Sequence, residues 1–125
     1  MGAAKRVLDV GQCVPDHAAI TRLIQGLGAE VSQAHGLTDA LDQLRQQPFS
    51  LVLINRKLDF DYSDGMEIIR AIKEDAALAS VPIMLVSNYP EYQKQAIAAG
   101  AINGFGKAEL AKPETTAKLR AVLGE

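Results

Sequence analysis

The chain has 125 residues, of which 48% are hydrophobic and 22% are charged, and its formal net charge is −2. This length suits one domain, residues 1–125, and the composition is that of an ordinary globular protein rather than a disordered one. No apolar run approaches the ~20 residues of a membrane-spanning helix, and the lysines and arginines form no stripe for binding a phosphate backbone. We therefore expect one folded domain that binds neither membrane nor nucleic acid.

Cysteine and histidine usage limits the chemistry available. Cys13 is the single cysteine, which excludes an internal disulfide and a multi-cysteine zinc site and favours a reducing compartment. Residues 1–6 contain no apolar segment of the kind found in secretion signals. His17 and His35 are isolated from other ligands in the sequence. These features predict a cytoplasmic protein without a metal or other cofactor.

Short apolar runs alternate with segments of helical period, which is typical of strand-helix units and a largely parallel sheet. Residues 7–10 are predicted to form the first strand, and Pro15 opens a helix that Gly28 stops. Residues 30–33 are a short second strand, and Thr38 is the predicted N-cap of the second helix.

The second half of the chain continues the alternation. Residues 51–54 are continuously apolar, which predicts a central strand covered on both faces. A long loop follows. The remaining predicted elements are a helix capped by Ser63 or Asp64, a strand at 83–86, a helix from Pro90 that Gly100 ends, a strand around Phe105 and a helix at 113–123.

Taken together, these units resemble the response regulator receiver family over roughly residues 6–123. The resemblance includes the polar residues Asn55, Ser87 and Lys107, each at the carboxyl end of a predicted strand. It implies a doubly wound, flavodoxin-like α/β fold, (βα)5, with parallel strands in the order 2-1-3-4-5. Functional groups of such a fold gather beyond the carboxyl ends of the strands.

The same resemblance implies which residues occupy the family's phosphorylation site. The acidic pair that holds Mg²⁺ falls on Gly11 and Gln12, and the phosphoacceptor aspartate falls on Asn55. A hard cation needs carboxylate oxygens, and an amide cannot form an aspartyl phosphate. Ser87 and Lys107 match the family's hydroxyl and lysine positions. The resemblance therefore implies a degenerate pseudo-receiver.

Two further departures from the family pattern affect its switching residues. The aromatic switch position falls on Gly104, with Phe105 one residue later and therefore on the opposite face of the strand. Ala108 replaces the proline that usually follows the lysine. The segment from Asn55 to Gly65 is two residues longer than usual, which makes it the most individual part of the chain.

Some residues have both an ordinary and a functional interpretation. Asp59, Asp61 and Asp64 are spaced somewhat like a calcium loop but lack its glycine and glutamate, so a solvated loop with a helix cap is favoured. Lys107 is expected to pair with a nearby carboxylate or to cap carbonyl oxygens. Asp9 lies within an apolar strand, where a carboxylate needs a partner. That partner is Lys107, or else Asp9 replaces one of the family's acids.

The leading hypothesis is an atypical receiver in two-component signal transduction or a phosphorelay, acting as a phosphorylation-independent interaction module and not as an enzyme. Its protein partner is expected at the face of the fourth helix, fifth strand and fifth helix, or at the loop from Asn55 to Gly65. The alternative is a domain that binds a small ligand in the altered pocket at the strand ends.

Overall fold

The structure, a computed structural model, describes residues 5–124. Its strands are β1 (Arg6–Val10), β2 (Glu30–Ala34), β3 (Leu51–Asn55), β4 (Ile83–Val86) and β5 (Ile102–Phe105). Its helices are α1 (Val14–Gly26), α2 (Leu37–Gln46), α3 (Met66–Glu74), α4 (Pro90–Ala98) and α5 (Pro113–Leu123), with a 3-10 turn at Lys107–Glu109. Strands and helices therefore alternate along the described chain as the sequence predicted.

The five strands form one parallel sheet in the order β2-β1-β3-β4-β5. This confirms the predicted flavodoxin-like fold and its strand order. The central strand β3 is buried on both faces, because its alternate side chains enter two different clusters. Val52 and Ile54 pack with α2, α3 and α4, whereas Leu51 and Leu53 pack with α1 and α5.

The start of α2 differs from the prediction. The helix begins at Leu37, so Thr38 lies inside it and is not the N-cap. The carboxylate of Asp39 instead accepts hydrogen bonds from the backbone N–H groups of His35, at 2.7 Å, and Gly36, at 2.8 Å. The N-cap position is Gly36, and the Asp39 carboxylate in the first turn satisfies free N–H groups at the start of the helix.

At α3 the predicted cap is partly right. The helix begins at Met66, and the Asp64 carboxylate accepts a hydrogen bond from the Met66 N–H at 2.9 Å, whereas Ser63 makes no such bond among the described residues. Among the described residues 5–124, none of the helices has both the length and the hydropathy that a membrane-spanning helix requires.

Candidate functional site

Three of the residues selected from the sequence meet at the carboxyl edge of the sheet. Asn55 ends β3, Ser87 follows β4, Lys107 follows β5, and all three line one cavity of about 380 Å³. Gly11 follows β1 at the same edge, within hydrogen-bonding distance of Asn55. The parallel sheet explains the meeting, because all its strands end at this edge.

Asn55 acts here as a hydrogen-bond donor. Its Nδ2 donates to the backbone carbonyl of Gly11 at 3.0 Å and to that of Lys57 at 2.7 Å. Both partners are acceptors, so only the nitrogen end of the amide fits between them. The side chain thereby ties the loop after β1 to the loop after β3. A carboxylate has no proton for either bond.

Gly11 has no room for a side chain. Its φ of +78° lies in the left-handed region, and a Cβ built on it would stand 2.4 Å from Cδ2 of the buried Leu58. Its carbonyl also accepts a hydrogen bond from the Asp59 N–H at 3.0 Å. The loop after β3 therefore packs directly on the position where the family resemblance puts the first acid.

Gln12, where the family resemblance puts the second acid, is buried next to Asp9. Neither its amide nitrogen nor its amide oxygen has a hydrogen-bond partner of good geometry among the described residues. The amide lies near enough to the Asp9 carboxyl to lower its pKa slightly. Gln12 is thus a neutral, buried residue where a metal site would need an accessible carboxylate.

Asp9 makes its contact with a residue that the sequence analysis did not select. Its Oδ2 lies 2.6 Å from Nδ1 of His17 on α1, and its side chain is fully buried. Burial raises the pKa of Asp9 to about 6, while the hydrogen bond and charge of His17 act in the opposite direction. The predicted pairing of Asp9 with Lys107 is therefore wrong, although Lys107 also lowers this pKa weakly from a distance.

A signal for this pair was present in the sequence. His17 precedes the buried Ile20 and Ile24 by three and seven residues, so it lies on the inward stripe of α1. An inward histidine on the helix that follows β1 is well placed to meet an aspartate in that strand.

Lys107 has a different carboxylate partner. Its Nζ lies 2.7 Å from Oδ2 of Asp16, in the first turn of α1, and the Cys13 thiol donates to the same oxygen at 3.0 Å. The Lys107 hydrogen bond, followed by that of Cys13, holds the pKa of the Asp16 carboxyl below its usual range. The prediction that Lys107 pairs with a carboxylate is confirmed.

Ser87 is buried and contributes to the start of α4. Its hydroxyl accepts a hydrogen bond from the Tyr89 N–H at 3.2 Å, and its own N–H donates to the Phe105 carbonyl at 3.0 Å. The hydroxyl therefore already shapes the turn between β4 and α4.

The strand pair β4 and β5 is irregular beside this turn. Met84 pairs with Ile102 and Val86 with Phe105, so β5 carries one extra residue, a β-bulge. The side chain of Gln93, from α4, bonds to the backbone of both strands beside this bulge. Its Oε1 accepts from the Gly104 N–H at 3.0 Å, and its Nε2 donates to the Leu85 carbonyl at 2.9 Å.

Gly104 is required by this arrangement. A Cβ there would stand 2.2 Å from the Leu85 carbonyl oxygen and 3.2 Å from Oε1 of Gln93. Phe105 lies in the core cluster of α1 and α5, while Gln93 approaches from the α4 face. The aromatic side chain thus lies on the face of the sheet opposite to α4.

The loop between β3 and α3, residues 56–65, contacts α4. The Arg56 guanidinium lies 4.2 Å from the centre of the Tyr92 ring and 3.2 Å from Oδ1 of Asp64. Tyr92 in turn packs edge-to-face with Tyr89, their ring centres 5.7 Å apart. Tyr92 and Gln93 are therefore held by their neighbours.

A magnesium ion does not fit this set of residues. Gly11, Gln12 and Asn55 supply no carboxylate, Leu58 fills the space beside Gly11, and the Asn55 amide points its N–H donors at carbonyl oxygens. In the described part of the chain, no three His, Cys, Asp or Glu side chains gather as a possible metal site.

Comparison with known proteins agrees with this fold. The family model of the response regulator receiver domain matches residues 15–123. A putative response regulator from Chloroflexus aurantiacus J-10-fl is 17% identical, with a TM-score of 0.81 over 98% of this chain and 100% of that one. The response regulator CheY4 of Vibrio cholerae is 23% identical, with a TM-score of 0.74 over 96% and 99% of the two chains.

A third solved structure is the receiver domain of the sensor histidine kinase PA1611 from Pseudomonas aeruginosa, with a magnesium ion coordinated in its active site cleft. It is 21% identical, with a TM-score of 0.72 over 97% of this chain and 95% of that one. At these identities the likeness shows the fold alone. Because the family model covers most of the chain, the protein belongs to the response regulator receiver domain family and is a signalling domain of that kind.

Proposed function

We propose that this receiver domain is a protein-interaction module whose binding does not depend on phosphorylation, and that it is not an enzyme. One observation carries the proposal: Asn55, which the family resemblance puts at the phosphoacceptor position, is an amide that donates to two backbone carbonyls. It lacks the nucleophilic carboxylate, and both of its N–H groups hold loops together.

The residues around Asn55 support the same conclusion. Leu58 occupies the space that an acid at Gly11 would need, and Lys107 is already paired with Asp16 at 2.7 Å. Ser87 accepts a hydrogen bond from the turn before α4. Each residue that phosphoryl transfer would require is thus absent or has a structural partner.

Gln93 supports independence from a phosphorylation switch. It ties α4 to both β4 and β5 through its side-chain amide, at the place where the family resemblance puts a mobile aromatic residue. We infer that the α4 face is held in one arrangement and is always available to a partner.

The proposed binding surface is the face formed by α4, β5 and α5, which the family resemblance favours. Ile97 on α4 and Ile102 on β5 are 46% and 39% exposed, which leaves apolar surface for a partner. Tyr92 and Gln93, by contrast, are half-buried and held by other residues, so they are unsuitable positions for testing this face.

The alternative, a small ligand in the cavity at the strand ends, has less support. Arg56, Lys57 and Lys107 line that cavity, but Asp64 and Asp16 neutralise two of them. A thermal-shift panel of metabolites tests it, since any ligand that binds the native state raises the midpoint of unfolding. A reproducible, saturable rise would favour the alternative.

The single free thiol, Cys13, supports the expectation of a cytoplasmic location.

Partner capture with and without acetyl phosphate tests the proposed function. We expect the same captured protein under both conditions, and loss of capture in Ile97→Asp. Val14→Asp is the matched control, because Val14 is also an exposed apolar side chain but lies at the start of α1. Circular dichroism must show that both variants are folded. Capture that requires acetyl phosphate would contradict the proposal.

A further inference from the structure

A second and larger cavity lies beside the loop between β3 and α3, away from the α4 face. It has a volume of about 640 Å³ and is formed by the start of α2, the loop before it, the loop after β3 and the first turns of α3. We call it the α2 cleft. Its lining includes Gly36, Leu37, Asp42, Phe60, Asp61 and Glu67.

Part of the α2 cleft is apolar and open to solvent. Phe60 is 61% exposed and Leu37 is 41% exposed, while Leu58 and Ile68 are buried beneath them. The Phe60 ring lies against Gly36, where a Cβ would stand 2.8 Å from Cε1 of the ring. The loop between β3 and α3 thus places the Phe60 ring over Gly36 and beside the exposed Leu37, in a concave surface. Such a surface suits apolar side chains of a partner.

The rest of the lining is strongly acidic. Carboxylates come from Asp39, Asp42, Asp61, Asp64 and Glu67, and no lysine or arginine lines the cleft. Within residues 5–124, Asp64 alone among these five acids forms an ion pair, with Arg56. The chain as a whole has a net charge of only −2, so the negative charge is concentrated here.

We propose that the α2 cleft binds a basic, amphipathic segment of a partner protein. Its apolar side chains would pack on Phe60 and Leu37, and its lysines or arginines would face Asp42, Asp61 and Glu67. The acidic lining favours a partner segment with positive charge. The exposed apolar surface favours one that also carries apolar side chains. The inference rests on the proposed interaction role and names the class of partner that one surface takes.

Selection from a random peptide-display library against the whole domain tests the inference without assuming a partner. We expect enriched peptides to combine lysine or arginine with regularly spaced apolar residues. Their affinity should fall at least about tenfold in Phe60→Ala, because an aromatic anchor is lost, and also in Asp42→Lys. Raised salt should weaken binding, since the charges are exposed.

Tyr62→Ala is the matched control. Tyr62 is an exposed aromatic residue two positions after Phe60 in the same loop, but it does not line the cleft. Peptides of acidic or neutral composition, peptides equally weakened by Tyr62→Ala, or an absence of any enrichment would overturn the inference. Enriched peptides that lose affinity only in Ile97→Asp would also overturn it, while supporting the proposed interaction role at the α4 face.

Discussion

Asn55 holds two loops together with a group that an aspartate lacks. In Asn55→Asp, both donated hydrogen bonds are lost and a carboxylate faces the carbonyl oxygens of Gly11 and Lys57. We expect a loss of about 1 to 3 kcal/mol in the free energy of unfolding near neutral pH, and a smaller loss in acid, where a protonated carboxyl can donate. Urea unfolding at two pH values measures both.

Asn88→Asp is the control for this substitution. Asn88 uses its amide oxygen, which accepts a hydrogen bond from the Ala108 N–H at 3.0 Å, so an aspartate keeps the bond. We expect little change in stability. Equal losses in the two variants would show that the donor role of Asn55 is unimportant.

The burial of Asp9 makes stability depend on pH in an unusual direction for a carboxylate. Burial raises the pKa of Asp9 from 3.8 to about 6, so between these values the native state holds a proton that the unfolded state has released. Stability from this group is therefore lost as pH rises from about 4 to 6, by about 1 to 3 kcal/mol. Asp9→Asn should flatten this part of the pH profile of urea unfolding. An unchanged profile would contradict the assigned pKa.

At the scale of elements, the packing of the loop after β3 on the end of β1 can be tested by the stability cost of adding a side chain there. Gly11 and Gly28 both have positive φ, but a Cβ at Gly28 meets nothing within 4 Å, whereas at Gly11 it meets Leu58 at 2.4 Å. We expect Gly28→Ala to cost about 1 kcal/mol from backbone strain and Gly11→Ala to cost clearly more.

Combining Gly11→Ala with Leu58→Ala should make the glycine substitution less costly than it is alone, because the obstructing side chain is gone. Chemical denaturation of the four proteins in this cycle gives the coupling energy. Strict additivity would show that Leu58 does not block this position. The same clash means that rebuilding an acidic pair at Gly11 and Gln12 requires a change at Leu58 as well.

Gln93 connects α4 to two strands, so its removal should act on that junction. Gln93→Ala leaves the Gly104 N–H and the Leu85 carbonyl without their side-chain partner, which we expect to cost about 1 to 3 kcal/mol. Hydrogen exchange at the Gly104 amide should accelerate. Gln95→Ala, at an exposed position of the same helix, is the control. Unchanged exchange at Gly104 would contradict the role given to Gln93.

Hydrophobic periodicity was enough to predict these elements, because each helix and strand buries one continuous apolar face or run. It was insufficient to predict which polar side chains contact each other at helix starts and in the core. The N-cap of α2 is Gly36, with the Asp39 carboxylate bonded to N–H groups at the helix start, and not Thr38. The partner of Asp9 is His17 and not Lys107. Such contacts depend on which side chains tertiary packing brings together. The strand order came from the family resemblance, since local pattern does not specify how strands are arranged.

At the scale of the whole molecule, the receiver fold is present, and we propose that packing and neutral hydrogen bonds take the place of its phosphorylation site. The positions of Asn55, Ser87 and Lys107 at one edge followed from the topology. Their contacts could not be predicted in the same way, because they involve loops whose path the sequence left open. One such loop, after β3, places Leu58 in the space beside Gly11. The acidic α2 cleft beside that loop likewise appears only in three dimensions.

The most direct test is intact-mass spectrometry of the domain after incubation with acetyl phosphate and Mg²⁺. Asn55 offers no carboxylate to accept a phosphoryl group, and Gly11 and Gln12 offer no carboxylate to hold Mg²⁺, so the mass should remain that of the unmodified chain. A stoichiometric phosphoryl adduct that is stable in acid and released by base would contradict this expectation. Such an adduct would mean that another carboxylate, such as Asp59 or Asp64, accepts the phosphoryl group and that the domain is phosphorylated after all.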